Sequence, residues 1–380
     1  MNSLSTKYVF KKPWVRLLVS IFDSAGKLLF GRPAEARPVG ECRRILVVRV
    51  DQLGDVVMTL PAIRALREAF PNATIDFLVG PWASDLAGKY ADKTYIFERS
   101  YFGGNSSLTA WFREWLGLAR VFKKNRYDLA VDFRGDMRTA ALLYFSGAVR
   151  RVGYGNAGGG FFYTDCLPER EGRHQSDRAL DCVRHLGCGV PDEIQPLNYR
   201  SPDPESWREK FSALALASRP WIVMHVGSGY ASKRWPAARF FSVIDRLLPE
   251  VRGTVILTGH QKEAEIVRPY FKEREGLLNF IQKTTLLELC ALIDKADLFV
   301  GNDSGPAHLA AALGKKTLVL FSGTNDWHLW HPRGQAVHVM RHDVPCSPCH
   351  ERECPLPRHE CMENIAVDEV CDKIGELLRG

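Results

Sequence analysis

The chain has 380 residues, 46% of them apolar and 25% charged, the balance of a soluble α/β protein, and its length favours two domains over one core. A net charge of +7 favours anionic partners such as nucleic acid, acidic membrane surfaces or phosphorylated substrates. No apolar run reaches the roughly 18 residues of a membrane span, and ten cysteines in a chain able to bury a large core do not make a secreted disulfide scaffold, which points to a reduced, cytosolic setting.

At the N-terminus, Val9, Phe10, Trp14, Leu17, Leu18, Ile21, Phe22, Leu28 and Leu29 recur at spacings of three and four. Lys7, Lys11, Lys12, Arg16 and Lys27 are interleaved with them. On a helix this makes an apolar stripe edged by cations, suited to lying on an anionic membrane through residues 7–30. The alternative is a helix docked on the protein's own core. No small-residue cleavage site follows, which argues against a signal peptide.

After a Gly/Pro-containing linker at 31–40, strands alternate with helices. RILVVRV (44–50) reads as a buried parallel strand, a helix follows over about 56–70, and TIDFLVG (74–80) is the next strand. Residues 108–125 form a helical pattern with Trp111, Trp115 and Leu118 on one face. DLAVDF (128–133) and RRVGYG (150–155) are strands, separated by a helix from Arg138 to about Phe145. GNAGGGFF reads as a flexible glycine-rich loop, and 174–188 as a helix.

A second half opens near 203. WIVMHVG (221–227) and TVILTG (254–259) are strands, each followed by a helix, the first near 236–249. A helix at 285–295 leads into DLFV, a polar loop, a helix starting near Pro306 and the strand TLVLF. A final helix covers about 366–379. This alternation implies two doubly wound domains facing across a cleft, with boundaries at 1–40, 41–202 and 203–380.

Chemistry concentrates where strands end, because open α/β sheets bind ligands at the carboxyl ends of their strands. Asp51 and Asp55 flank a turn with Gly54 after the first strand. Asp55 is a candidate base, or a carboxylate that merely caps the next helix. Gly227, Ser228 and Gly229 precede Lys233 and Arg234, a small-residue loop with cations that suits a pyrophosphate; no Walker loop or G-x-G-x-x-G fingerprint is present. Glu263 follows another strand, placed to hold ribose hydroxyls or to sit in a helix's first turn. In VGNDSGPAHLAAALGKKTLVLF (300–321), Gly305 lets the backbone approach a ligand and Pro306 suits a first helical turn. The exposed N–H groups there can hold a phosphate, unless Asp303 or Ser304 caps them.

These segments resemble glycosyltransferase family 9, the heptosyltransferases of lipopolysaccharide core synthesis. The resemblance covers most of 43–370 and is carried by RVDQLGDVVMTLPAIRAL, DFRGDMRTA, SGYASKRWP and above all DLFVGNDSGPAHLAAALGKKTLVLF. It implies a GT-B architecture of two Rossmann-like domains, the first binding acceptor and the second nucleotide sugar, and an inverting transfer needing no divalent metal. Carried over, Asp55 matches the catalytic carboxylate and Lys233 the residue steadying the donor phosphates. Asp303 matches the acid near the donor sugar, and Ser304 and Gly305 the loop amides at the pyrophosphate. Ser228 belongs to the same donor site and His308 supports it. Glu263 matches the ribose-binding acid, and Arg138, with Gly54, the acceptor side. Asp51 and Gln52 depart from the family, many members having small hydroxyl residues there, which bears on the identity of the sugar or acceptor.

Cys346, Cys349, Cys354 and Cys361 form C-x2-C-x4-C-x6-C, whose first pair alone has zinc-ligand spacing. Free or transiently oxidised thiols, a structural metal and disulfides all stay open, and the resemblance points to a structural role. The expected function is transfer of a heptose or related sugar, ADP-heptose being the leading donor, to a lipopolysaccharide core or similar glycolipid. The enzyme would work at the cytoplasmic face of the inner membrane, with no metal cofactor and no nucleic-acid partner. The same fold transferring another hexose, or a non-catalytic membrane-associated scaffold, are the alternatives.

Overall fold

The structure, a computed structural model, describes residues 12–30, 42–98, 107–190, 197, 211–215 and 217–379. The 31–40 linker, the expected opening of the second half near 203, and Lys7, Val9, Phe10 and Lys11 lie outside the described residues. The chain divides into two compact units, 1–192 and 193–380.

Unit 1 is a parallel sheet of six strands: β1 (Arg44–Arg49), β2 (Thr74–Val79), β3 (Lys93–Ile96), β4 (Leu129–Asp132), β5 (Arg150–Tyr154) and β6 (Asp165–Leu167), in spatial order 3-2-1-4-5-6. Its longer helices are α1 (Pro13–Phe30), α2 (Leu53–Ala69), α3 (Leu108–Asn125), α4 (Met137–Phe145) and α5 (Gln175–His185). The central strands are continuous apolar runs because helices on both faces hide them; β1 pairs with β2 and with β4, and of its residues only Arg44 is exposed.

Unit 2 repeats the plan with β7 (Trp221–His225), β8 (Thr254–Thr258), β9 (Leu277–Asn279), β10 (Leu298–Asn302), β11 (Thr317–Leu320) and β12 (Val337–Met340), in order 12-11-10-7-8-9. Counted from β7, this is the same 3-2-1-4-5-6 order, that of dinucleotide-binding folds. Its longer helices are α6 (Ala237–Val251), α7 (Gln261–Val267), α8 (Leu286–Lys295), α9 (Gly305–Ala312) and α10 (Val367–Arg379). The C-terminal α10, expected within 203–380, buries Val370, Ile374 and Leu377 in the unit 2 core.

Three expectations need correction. Helix α2 begins at Leu53, three residues earlier than the pattern suggests, so Asp55 lies in its first turn. The four sheet-edge strands β3, β6, β9 and β12 were not anticipated. The glycine-rich segment is a seat for α1: Asp23 accepts a hydrogen bond from the Gly159 N–H (2.8 Å), and a Cβ on Gly26 would sit 2.2 Å from the Phe161 ring.

Helix α1 therefore does dock on its own unit, but through the narrow line of Val19, Asp23 and Gly26. At roughly 100° per residue, Trp14, Leu17, Ile21 and Leu28 fall on the opposite side and Leu18 and Leu29 on one flank, and all six are exposed, Leu28 by 86%. Among the described residues no helix is long and apolar enough to cross a membrane.

Candidate active site

In unit 1 the order of strands reverses between β1 and β4, and both strands end in charged residues. Arg49, the last residue of β1, is buried and reaches two carboxylates: its Nη2 donates to Asp55 Oδ1 (2.9 Å), and its Nε lies 3.0 Å from Asp51 Oδ2, close enough for an ion pair but not aligned for a hydrogen bond. Its Nη1 donates to the Phe133 carbonyl. Asp55 is thus held by a guanidinium and is not the cap of α2, whose capping position is Gln52 with no side-chain bond. Gly54, beside it, is buried in the same turn.

The β4–α4 turn is built around Asp132. This fully buried carboxylate accepts from Thr139 Oγ1 and Tyr163 OH (2.6 Å each) and from the N–H groups of Arg134 (2.9 Å) and Gly135 (3.2 Å). Burial pushes it above the usual carboxylate range against those donors. The turn presents Arg134 to Asp51, and Arg138 grips Asp136 through two bonds of 2.8 and 2.7 Å. Burial raises Asp136, but Arg138 and Arg134 outweigh it and hold it below the ordinary range. A small pocket here is lined by Arg134, Asp136 and Arg138 together with Phe97 and Trp111. Sequence reasoning singled out Arg138 and missed Arg49, Arg134 and Asp136, although DFRGDMRTA carried two of them.

Unit 2 reverses its order between β7 and β10, and there Lys233, Asp303, Ser228, Ser304, Gly305 and His308 do come together. Asn302, the buried end of β10, ties the loops: its Oδ1 accepts from the Trp235 N–H (2.9 Å), and its Nδ2 donates to the Val226 carbonyl (2.8 Å). Lys233 Nζ lies 2.6 Å from Asp303 Oδ2, and His308 Nε2 lies 3.6 Å from Oδ1. Ser228 Oγ donates to the Asp303 carbonyl (2.8 Å). Burial pushes the Asp303 carboxyl up, but Lys233 and His308 more than reverse this and hold it low.

The start of α9 separates the phosphate reading from the capping one. Ser304 occupies the capping position, yet its side chain makes no capping bond, and its buried Oγ has no hydrogen-bond partner among the described residues. Asp303 is taken up by Lys233. The first N–H groups of α9 thus have no side-chain cap, and a hydroxyl beside them is unused.

Glu263 has the plainer role that sequence left open: its Oε2 accepts from the His260 N–H (2.8 Å), closing a capping box on α7. Its other oxygen packs where a Cβ on Gly227 would be 2.2 Å away. Nearby, burial pushes His225 down to about 4, so it is neutral at physiological pH.

No disulfide joins the four loop cysteines. Among the described residues no three His, Cys, Asp or Glu side chains are grouped so as to hold a metal. Burial, and then the neighbouring thiols, raise Cys361. The loop's backbone does something else. Ser232, in the turn carrying Lys233, donates its N–H to the Arg352 carbonyl (3.1 Å) and its Oγ to that of Glu351 (2.6 Å), and His359 Nε2 lies 3.0 Å from the Ser232 carbonyl.

Two nucleotide-type sheets, each with charged loops at its reversal point, define a two-unit α/β protein of the GT-B kind. Residues 115–359 match the glycosyltransferase family 9 (heptosyltransferase) profile, and the chain belongs to that family. It is therefore a glycosyltransferase, which removes the scaffold alternative. It is 25% identical over 336 residues to the lipooligosaccharide heptosyltransferase 2 of Campylobacter jejuni, covering 86% of this chain and 96% of that one. With the lipopolysaccharide heptosyltransferase 1 of Pseudomonas aeruginosa it shares 27% identity over 326 residues, 82% of this chain and 87% of the relative. The fold is shared with the E. coli ADP-heptose lipopolysaccharide heptosyltransferase II, at a TM-score of 0.70 and 22% identity, over 88% of this chain and 98% of that one.

Proposed function

We propose that this enzyme moves a heptose, or a closely related sugar, from a nucleoside diphosphate, foremost ADP-heptose, onto a lipopolysaccharide core or similar lipid-linked acceptor. Transfer inverts the anomeric carbon and needs no divalent metal. The observation carrying this reading is the Lys233–Asp303 pair at 2.6 Å beside the uncapped start of α9 with its unpartnered Ser304 hydroxyl. Relatives named for heptosyl transfer match along most of the chain, which supports the sugar and the acceptor.

In this mechanism an acceptor hydroxyl oxygen attacks the anomeric carbon and Asp55 takes its proton. Arg49 holds Asp55 Oδ1 and so leaves Oδ2 to act. The bond from the anomeric carbon to the diphosphate oxygen breaks, and its electron pair leaves with the diphosphate. Lys233, the Ser304 hydroxyl and the Gly305 N–H at the start of α9 receive that charge, the work a magnesium ion does elsewhere. Ser228 and His308 hold the loop, and Arg138 with Arg134 meets anionic groups of the acceptor, beside Gly54. The enzyme sits peripherally on the cytoplasmic face of the inner membrane, with α1 on the lipid.

Calorimetric titration with ADP, GDP, UDP and NAD, without magnesium, tests the donor. Selective ADP binding that weakens in Lys233→Ala is expected. Preference for UDP or GDP would reassign the sugar, and no nucleotide binding would overturn the reading.

A further inference from the structure

The exposed rings on the docked flank of α1 are not isolated. Phe22 and Phe30 both contact Phe161, with ring centroids 5.5 Å apart in each case. Phe30 meets Tyr144 edge-on at 5.4 Å, and Tyr144 meets Phe145 at 5.4 Å. Phe145 contacts Trp115 at 5.7 Å, which stacks with Phe112 at 6.2 Å. The row runs unbroken from α1 over the end of α4 to the first turns of α3. Phe112 is 52% exposed and Phe145 49%, and Leu108 and Val149 are more exposed still. Phe161 and Trp115 are buried links in the row; core packing does not explain the four rings beside them, Phe22, Phe30, Phe145 and Phe112, left about half in water, and apolar side chains exposed together in this way mark a docking surface.

Cations border it on both ends. On α1, Arg16 and Lys27 fall on the flank between the docked line and the outward apolar face. On α3, Lys123, Arg120 and Arg113 are exposed on the strip next to Phe112, and Arg151 lies over the Tyr144 ring at 5.4 Å. A symmetric contact with a second copy would bring these cations face to face. An anionic bilayer accepts them in its headgroups while the rings sit at the acyl boundary. The row ends beside the acceptor loop, where Trp115 Nε1 donates to the Arg138 carbonyl (3.1 Å).

We infer that the aromatic row from Phe22 through Phe145 to Phe112, together with α1, is one surface that docks unit 1 on anionic phospholipid. The acceptor loop at Arg138 is thereby held at the headgroup level. This rests on the lipid-acceptor reading above and extends the lipid contact beyond α1 to α3 and α4.

The test is co-sedimentation of the full chain with vesicles of phosphatidylcholine alone and of phosphatidylcholine with phosphatidylglycerol, for wild type, Phe112→Ser/Phe145→Ser and Leu17→Ser/Ile21→Ser. Wild type should prefer the anionic vesicles. Each double variant should bind them at least tenfold more weakly, with an unchanged circular dichroism spectrum and unchanged ADP affinity. Transfer to acceptor embedded in vesicles should fall by a similar factor, while transfer to the same acceptor in detergent is retained. Wild-type vesicle binding by Phe112→Ser/Phe145→Ser would overturn the inference. So would a wild-type dimer that ignores vesicles and that this variant dissociates. Failure of the wild type to bind ADP would sink the proposed reaction and leave the vesicle result standing, so the two failures are distinguishable.

Discussion

Replacing Lys233 with methionine keeps the aliphatic bulk and deletes the charge that faces Asp303 at 2.6 Å. Asp303 is almost wholly buried, and after the change His308, at 3.6 Å, is the remaining cationic partner among the described residues. Removing one partner of a buried pair costs about 3–5 kcal/mol, and the surviving histidine argues for the lower end, about 3 kcal/mol. The acid side moves too. Asp303 is held low in the folded state, so its contribution is present above the ordinary carboxylate range and lost as pH falls through the folded value. Without Lys233 that loss sets in at higher pH. The donor should lose a charge-assisted bond of about 1.5–3 kcal/mol, roughly 10- to 150-fold in Kd for ADP. Removing both charges, with Lys233→Met and Asp303→Asn, should restore stability to within about 1 kcal/mol, because no buried charge is stranded. Nucleotide affinity should stay weak. Urea unfolding and calorimetry report the two quantities separately. An ADP affinity in Lys233→Met equal to wild type, or a double variant that regains binding with stability, would refute the assignment of Lys233 to the leaving diphosphate.

Ser304→Ala removes a buried hydroxyl that has no partner, so stability should change by less than about 0.5 kcal/mol while the Kd for ADP rises about tenfold or more. Gly26→Leu places side-chain atoms where the Phe161 ring now sits, 2.2 Å from an ideal Cβ. It should lower stability by about 1–3 kcal/mol and expose α1 to limited proteolysis. His225 is pushed by burial from 6.5 to about 4. The unfolded chain takes up that proton first, so stability should fall by about 3 kcal/mol as pH drops across this window. His225→Gln should flatten that slope in denaturant titrations run at successive pH values.

How legible the chain is depends on burial. The central strands β1, β4, β7, β8, β10 and β11 are nearly or wholly buried, so selection for apolar residues writes them as continuous runs. The edge strands are covered on one side only: β3 reads Lys-Thr-Tyr-Ile and is exposed at both ends, and β12 is half-buried throughout. Nothing in their composition separates them from loop. The donor loop was legible because Asp303, Ser304 and Gly305 are consecutive and sit at a strand end. Arg134 was hidden because its partner is distant in sequence, meeting Asp51 across 83 positions; Arg49 was hidden because it ends an apolar strand run, although its partner Asp55 lies only six positions on. Residues 158–160 read as slack because sequence cannot show that their missing side chains make room for another helix. At Gly158, a Cβ would meet Val19 of α1 at 2.8 Å.

The central claim is a sugar transfer with Asp55 as the base. The direct measurement is the mass of the lipid acceptor after incubation with ADP-heptose and excess EDTA, for wild type and Asp55→Asn, with ADP affinity checked by calorimetry. The account predicts one heptose added by the wild type. In Asp55→Asn the rate should fall by about 10²–10⁴ with ADP binding intact, the usual contribution of a general base. Undiminished transfer by Asp55→Asn, or no product from the wild type with the donor bound, would contradict it.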